Sequence, residues 1–230
     1  NYKAVGYTPG KVVDYIEQVL QLEAVACKDW LTNKVDRSVT GRIAMQQTAG
    51  SVQLPLNDVA VVAPDYQGVK GMATALGHAP VAALADPAKG SVLSIAESLT
   101  NIVFAPLAHG LKGVSLSANW MWPCRNEGED ARLYKAVNAA SEFAIALGIN
   151  IPTGKDSLSM TQKYPGGEKV LSPGTVIITS AAEVSDIAKS VSPALKSGRS
   201  DIIYVDLSQR GFGHGGSSFG EVVGAVGMAV

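Results

Sequence analysis

Apolar residues recur at helical intervals over 11–26 (KVVDYIEQVLQLEAVA). Val12, Tyr15, Ile16, Val19, Leu20 and Leu22 share one face there, which predicts an amphipathic helix. Residues 27–50 are polar and irregular. Over 52–63 (VQLPLNDVAVVA) the pattern turns to that of strands, with Pro55 marking an edge or strand start and VAVV a buried strand. APVAAL (79–84) predicts a second short strand. From Ser91 to Ala105 the helical period returns, with Val92, Ile95, Ala96, Leu99, Ile102 and Val103 on one face and Ser91 as N-cap.

GVSLSA (113–118) reads as a strand. The loop WMWPCRNEGED ends at Asp130, the expected N-cap of the helix ARLYKAVNAASEFAIAL, and Gly148 follows where a left-handed residue is wanted. INIP, a turn TGKDS and a hairpin around YPGGEK come next, leading into KVLSPGTVIITSAAEV, which contains the clearest strand pattern. Residues 186–200 are a polar, Ser-rich connector, DIIYVDL reads as a strand, and GFGHGGSSFGEVVGAVG closes the chain. Helices mixed with strands and a hairpin predict an α+β fold rather than a pure βαβ array, with a domain boundary near 195–200.

Composition narrows the function classes. Nineteen basic residues against twenty acidic ones leave a net charge of −1, which excludes the broad cationic footprint of a nucleic-acid binder. No apolar run reaches the roughly 20 residues of a transmembrane helix, so no membrane partner is expected. Cys27 and Cys124 have no CxxC spacing and suit a reduced, cytoplasmic protein. The chain opens at Asn1 without Met and stops abruptly at Gly-Met-Ala-Val.

Two glycine motifs invite a phosphate. TGKDS is not a Walker A loop: five residues separate Gly148 from Gly154, and Asp156 stands where the Mg-binding hydroxyl belongs. GFGHGG follows a strand pattern but lacks the G-x-G-x-x-G spacing; a surface loop opening a second domain is the plainer reading. Glu97 and Asn101, four apart, share one helix face, either as an exposed polar stripe or as ligands. Asp58 opens a buried-looking strand, where a carboxylate is unusual unless paired or metal-bound. Carboxylate and amide oxygens are hard donors suited to Mg²⁺. His78, His109 and His214 stand alone and read as surface or loop residues. Trp120 and Trp122 suit core packing or loop anchoring, and Cys124 lacks a nucleophile signature.

DRSVTG (36–41), LPLNDVAVVA (54–63), AESLTNIVFA (96–105), LSANWMW (116–122), GEDARLY (128–134) and especially GKDSLSM (154–160) together resemble the large single-chain phosphoribosylformylglycinamidine synthases. The resemblance runs from about residue 10 to the end but covers a small part of the family's length. It implies a mixed sheet flanked by helices, like the N-terminal domain of aminoimidazole ribonucleotide synthase. Residues 1–198 would be the second A-type domain, and 199–230 the beginning of a B-type domain.

The resemblance further implies a ligase that converts formylglycinamide ribonucleotide, ATP and glutamine to the amidine, with this piece inactive alone. It places Asn57 at a nucleotide contact, and Asp58, Glu97 and Asn101 at Mg²⁺ positions of a retained ATP/ADP site. Gly154 would approach the other nucleotide by its backbone, and Ser157 would hold substrate phosphate. Lys155 stands where small-form relatives carry Asn, so it suits a phosphate-facing charge rather than a metal ligand. The implied partner is the first A-type domain of the parent chain. In isolation the uncovered sheet predicts self-association. Two other readings compete: a non-catalytic module of the same fold, and a dinucleotide oxidoreductase resting on GFGHGG, which would need a βαβ unit after that loop.

Overall fold

A computed structural model describes residues 5–32, 41–207, 214 and 216–225. All of DRSVTG except Gly41, and the 211–216 run except His214 and Gly216, lie outside the described residues. In chain order come α1 (Val12–Gln21), α2 (Asp29–Thr32), β1 (Ile43–Met45), β2 (Thr48–Ala49), β3 (Leu54–Pro55), β4 (Val59–Val62) and β5 (Gly71–His78). Then follow α3 (Pro80–Ala85), α4 (Pro87–Ile102), β6 (Ser115–Met121), α5 (Glu129–Leu147) and β7 (Asn150–Ser157). The hairpin β8 (Thr161–Lys163) and β9 (Lys169–Leu171), β10 (Thr175–Val184) and α6 (Ser218–Val222) complete them.

Six strands form one sheet in the order β1-β4-β5-β10-β6-β7; every neighbouring pair is antiparallel except β6 and β7, which α5 joins as a parallel unit. This is the expected α+β class with a mixed sheet. From Val176 the long β10 alternates strictly: Val176, Ile178, Ser180, Ala182 and Val184 are buried on the side where α4 packs, while Ile177, Thr179 and Ala181 face the other side. Ile95, Leu99 and Ile102 of α4 complete the core with Val61 and Leu116. Met72, Thr74 and Leu76 of β5 stand exposed on the opposite face of the sheet, which no helix among the described residues covers.

Several local expectations need correction. Residues 79–84 form the helix α3, not a strand: Pro80 sits at its first turn, and a short alanine-rich apolar run carries no period that separates helix from strand. Helix α4 starts earlier than expected, capped by Asp86, whose carboxylate accepts from Ala88 N (3.0 Å) and Lys89 N (3.2 Å). Ser91 lies inside that helix, buried, and its Oγ donates to Ala136 O of α5 at 2.8 Å. Gly128 with φ 78°, not Asp130, is the N-cap of α5, and Gly148 ends it with φ 69°, as expected. TGKDS is no turn but the second half of β7. DIIYVDL forms no strand; Ile202 is 90% exposed and Val205 70%. Trp122 is buried in the core, and the YPGGEK hairpin is present.

Candidate nucleotide and metal cleft

The site grows out of a gap in the sheet. β4 pairs with β5 only from Val62↔Met72 to Val59↔Ala75, while β5 runs on to His78. Its last residues therefore lack a strand on that side, and a buried peptide group must find another partner. Side chains of α4 supply it. Asn101 Nδ2 donates to Leu76 O at 3.0 Å, and His78 N donates to Glu97 Oε2 at 2.5 Å.

Glu97 and Asn101 can reach the strand because α4 lies directly on it. A Cβ at Gly77 would stand 1.9 Å from Ser94 O and 2.6 Å from Ser98 N, so only glycine permits this approach. Buried Ser180 Oγ ties the layers together, 3.1 Å from Ser98 O and 3.3 Å from Ala75 O.

Asn57 and Asp58 enter the same gap as the chain leads into β4. Asn57 N donates to Gln47 O at 3.0 Å, and its Nδ2 donates to Gln46 O (2.6 Å) and Thr48 O (3.3 Å). With the amide so oriented, Asn57 Oδ1 is buried and has no hydrogen-bond partner. Asp58 is exposed and makes no hydrogen bond or ion pair among the described residues. Asn57, Asp58, Glu97 and Asn101 line one open cleft of about 510 Å³, together with Gln47 and His78. Sequence spacing paired Glu97 with Asn101 but could not bring them to Asp58; the start of β4 does. Asp58 thus sits at a solvent-open strand start rather than in a buried strand.

His78 is exposed, as expected of a surface residue, and also lines the cleft. Burial pushes its imidazole below the ordinary range, with the Glu97 carboxylate pulling the other way. In GMATALGH exposed Met72, Thr74, Leu76 and His78 alternate with inward positions too small to mark a period in the sequence.

The donor set fits a hard cation. Asp58 offers both carboxylate oxygens, Glu97 keeps one oxygen outside its bond to His78, and the Asn101 amide leaves Oδ1 over when Nδ2 donates to Leu76. Among the described residues no three His, Cys, Asp or Glu side chains converge as a metal cluster, so a cation here depends on amide oxygens, water and ligand oxygens. That is the shell Mg²⁺ prefers.

Gly154, Lys155 and Ser157 lie elsewhere. They belong to β7 at the far edge, with β10 and β6 between them and β5. A Cβ at Gly154 would meet Ala118 O of β6 at 2.3 Å, so glycine lets β7 pack closely there. Lys155 pairs in register with Asn119 and Ser157 with Met121, which puts both side chains on the open face; Lys155 Nζ donates to Ser157 Oγ. An ammonium beside a hydroxyl can receive a phosphate. Asn119 Oδ1, next to them, is buried without a partner. Cys124 is a poor nucleophile: burial first, then Asp130 and Glu129, push its thiol up. His109 and His214 are exposed, as expected.

The FGAR-AT PurM_N-like domain family matches residues 27–183. Phosphoribosylformylglycinamidine synthase of Homo sapiens is 45% identical over 214 residues, covering 92% of this chain and 16% of that protein. The probable chloroplastic/mitochondrial phosphoribosylformylglycinamidine synthase of Arabidopsis thaliana is 42% identical over 218 residues, 94% of this chain and 15% of that protein. The chain therefore spans a small fraction of these relatives' length. Among solved structures, PurLQS from Thermotoga maritima superposes with a TM-score of 0.54 at 19% identity, over 84% of this chain and 29% of that one. T. maritima PurL complexed with ADP gives 0.52 at 19% identity, over 83% and 29%. These two share the fold of this chain.

Proposed function

Because the chain belongs to the FGAR-AT PurM_N-like domain family, we propose that it acts as the second A-type domain of a large phosphoribosylformylglycinamidine synthase. In that setting its β4–β5 cleft holds a Mg-nucleotide, ATP or ADP. Residues 1–198 are the A-type domain and 199–230 open a B-type domain, in a protein of a reducing compartment such as the cytoplasm. The reaction served is the ligation of formylglycinamide ribonucleotide with glutamine-derived ammonia at the expense of ATP. The carrying observation is the convergence of Asn57, Asp58, Glu97 and Asn101 on one cleft.

Each residue has a task set by its surroundings. The Asn57 amide, locked by two backbone carbonyls, lines the cleft beside the nucleotide, and its Oδ1 accepts a ribose or base donor once the cleft closes on the ligand. Asp58, Glu97 and the Asn101 Oδ1 hold Mg²⁺, which supplies charge to offset phosphate oxygens. Asp58 is open to solvent and unpaired, so it can take up the cation without breaking a structural bond. On the far edge, Gly154 brings the β7 backbone close to a second nucleotide, while Lys155 and Ser157 receive the substrate phosphate. Groups from other domains complete the reaction, and the chain alone is inactive.

One observation favours a competing reading. Glu97 and Asn101 already bond the β5 backbone, as they would in a module where they only close the sheet. Asp58→Asn separates the two, since Asp58 makes no such bond. Titration of ADP into the full-length protein, with Mg²⁺ and with EDTA, is the test. Mg-dependent binding lost in Asp58→Asn, with the melting temperature unchanged, supports the site; binding equal to wild type with and without Mg²⁺ defeats it. We propose in addition that the open sheet face docks on the first A-type domain, so the isolated chain self-associates through it. A concentration-independent monomer in sedimentation velocity counts against that.

A further inference from the structure

Helix α1 is amphipathic. At 100° per residue, Val12, Tyr15, Ile16, Val19 and Leu20 span an apolar face about 140° wide, and Asp14, Glu17, Gln18 and Gln21 take the opposite side. Only one flank of the apolar face is covered. The ring of Phe219 in α6 meets Tyr15 edge-on, with centroids 5.2 Å apart at 72°. The stripe Val12, Ile16 and Leu20 stays 45%, 54% and 60% exposed and forms the wall of an apolar groove of about 360 Å³.

The two helices come from opposite ends of the chain. α1 precedes the family match at 27–183 and α6 follows it, yet they pack on each other. α6 is also anchored on the domain. A Cβ at Gly216, just before it, would stand 2.7 Å from Ala82 Cα of α3. The five residues of α6 are too few to cover a ten-residue helix. Relatives at 42–45% identity are several times longer than this chain.

We propose that the Val12–Ile16–Leu20 stripe of α1 is an intramolecular docking surface for the polypeptide that follows α6. The first helix of the chain is thereby built into the core of the domain that follows α6, and straps the two together. The groove calls for an apolar segment, because among the described residues no Asp, Glu, Lys or Arg lines it. α6 marks the flank beside which that segment begins, because it is already seated on Tyr15. The inference shares with the proposed function only the premise of a longer chain, and needs no nucleotide.

Thiol labelling tests it. Ile16→Cys is made in the full-length protein and in the 230-residue chain, with Gln18→Cys on the polar face as reference, and labelled peptides are separated from those of Cys27 and Cys124 by mass. Labelling at position 16 is expected to be at least about tenfold slower in the full-length protein, as for a site that reacts only on local opening, with position 18 equally fast in both. Equal rates at position 16 overturn the proposal. So does protection already present in the 230-residue chain and lost on dilution, which would make a second copy the occupant. Hydrogen exchange of the 12–21 amides in the unsubstituted proteins gives the same comparison should Ile16→Cys perturb folding.

Discussion

The two sets of candidate residues sit on one sheet but are built in different ways. At the β4–β5 edge, a strand ends early and helix side chains fill its place, giving a concave site with oriented amides and an unpaired carboxylate. At the β7 edge, Lys155 and Ser157 merely stand out from a strand. The first edge is preorganised within the chain and should bind a ligand on its own elements. The second offers a charge and a hydroxyl but needs another surface to enclose a ligand. The contrast comes from what lies underneath: α4 presses on β5 at Gly77, while among the described residues no helix approaches β7 as closely.

The largest expected effect therefore comes from Gly77→Ala. Its methyl group meets backbone atoms of Ser94 and Ser98 that cannot rotate away. We expect a loss of about 3 kcal/mol or more, the upper range for overpacking, seen as a lower melting temperature together with loss of ADP binding. Gly154→Ala also meets a backbone oxygen, Ala118 O, but an edge strand can shift, so about 1–2 kcal/mol is expected. Equal losses from the two would erase the distinction between the edges.

Next in size is the ligand effect. Asp58→Asn combined with Glu97→Gln should weaken Mg-dependent ADP binding about 100-fold or more, or some 2.7 kcal/mol, by calorimetry. Lys155→Ala should leave that binding unchanged and instead raise the KM for the ribonucleotide substrate in the full-length enzyme. A reversed pattern would exchange the roles of the two edges. The smallest effect is that of Ser180→Ala, which removes one buried hydroxyl tying β10 to α4 and β5. It should cost about 1 kcal/mol in denaturant unfolding with ADP affinity nearly intact; a large drop in affinity would mean that the cleft depends on this tie.

Much of this architecture was legible before any coordinates. The i, i+4 relation of Glu97 and Asn101, the β10 alternation and the Gly148 cap all follow from periodicity and glycine's freedom at positive φ. What stayed hidden has physical causes. β5 escaped notice because its inward positions are Ala73, Ala75 and Gly77, small enough for α4 to approach but too weakly apolar to show a period. The turn-like composition of TGKDS masked β7, whose strand character comes from pairing with β6. Residues 201–207 have strand composition without a strand partner, so propensity alone did not make a strand. Convergence of Asp58 with Glu97 is a property of where β4 begins, which no spacing encodes.

Paramagnetic broadening tests the central claim most directly. Mn²⁺ replaces Mg²⁺ with ADP bound, and backbone and side-chain amide signals are followed by NMR in the 230-residue chain. The account predicts that signals of Asn57, Asp58, His78 and Asn101 disappear first while those of Thr153 to Ser157 persist. Broadening centred on β7, or spread evenly over both edges, would contradict it.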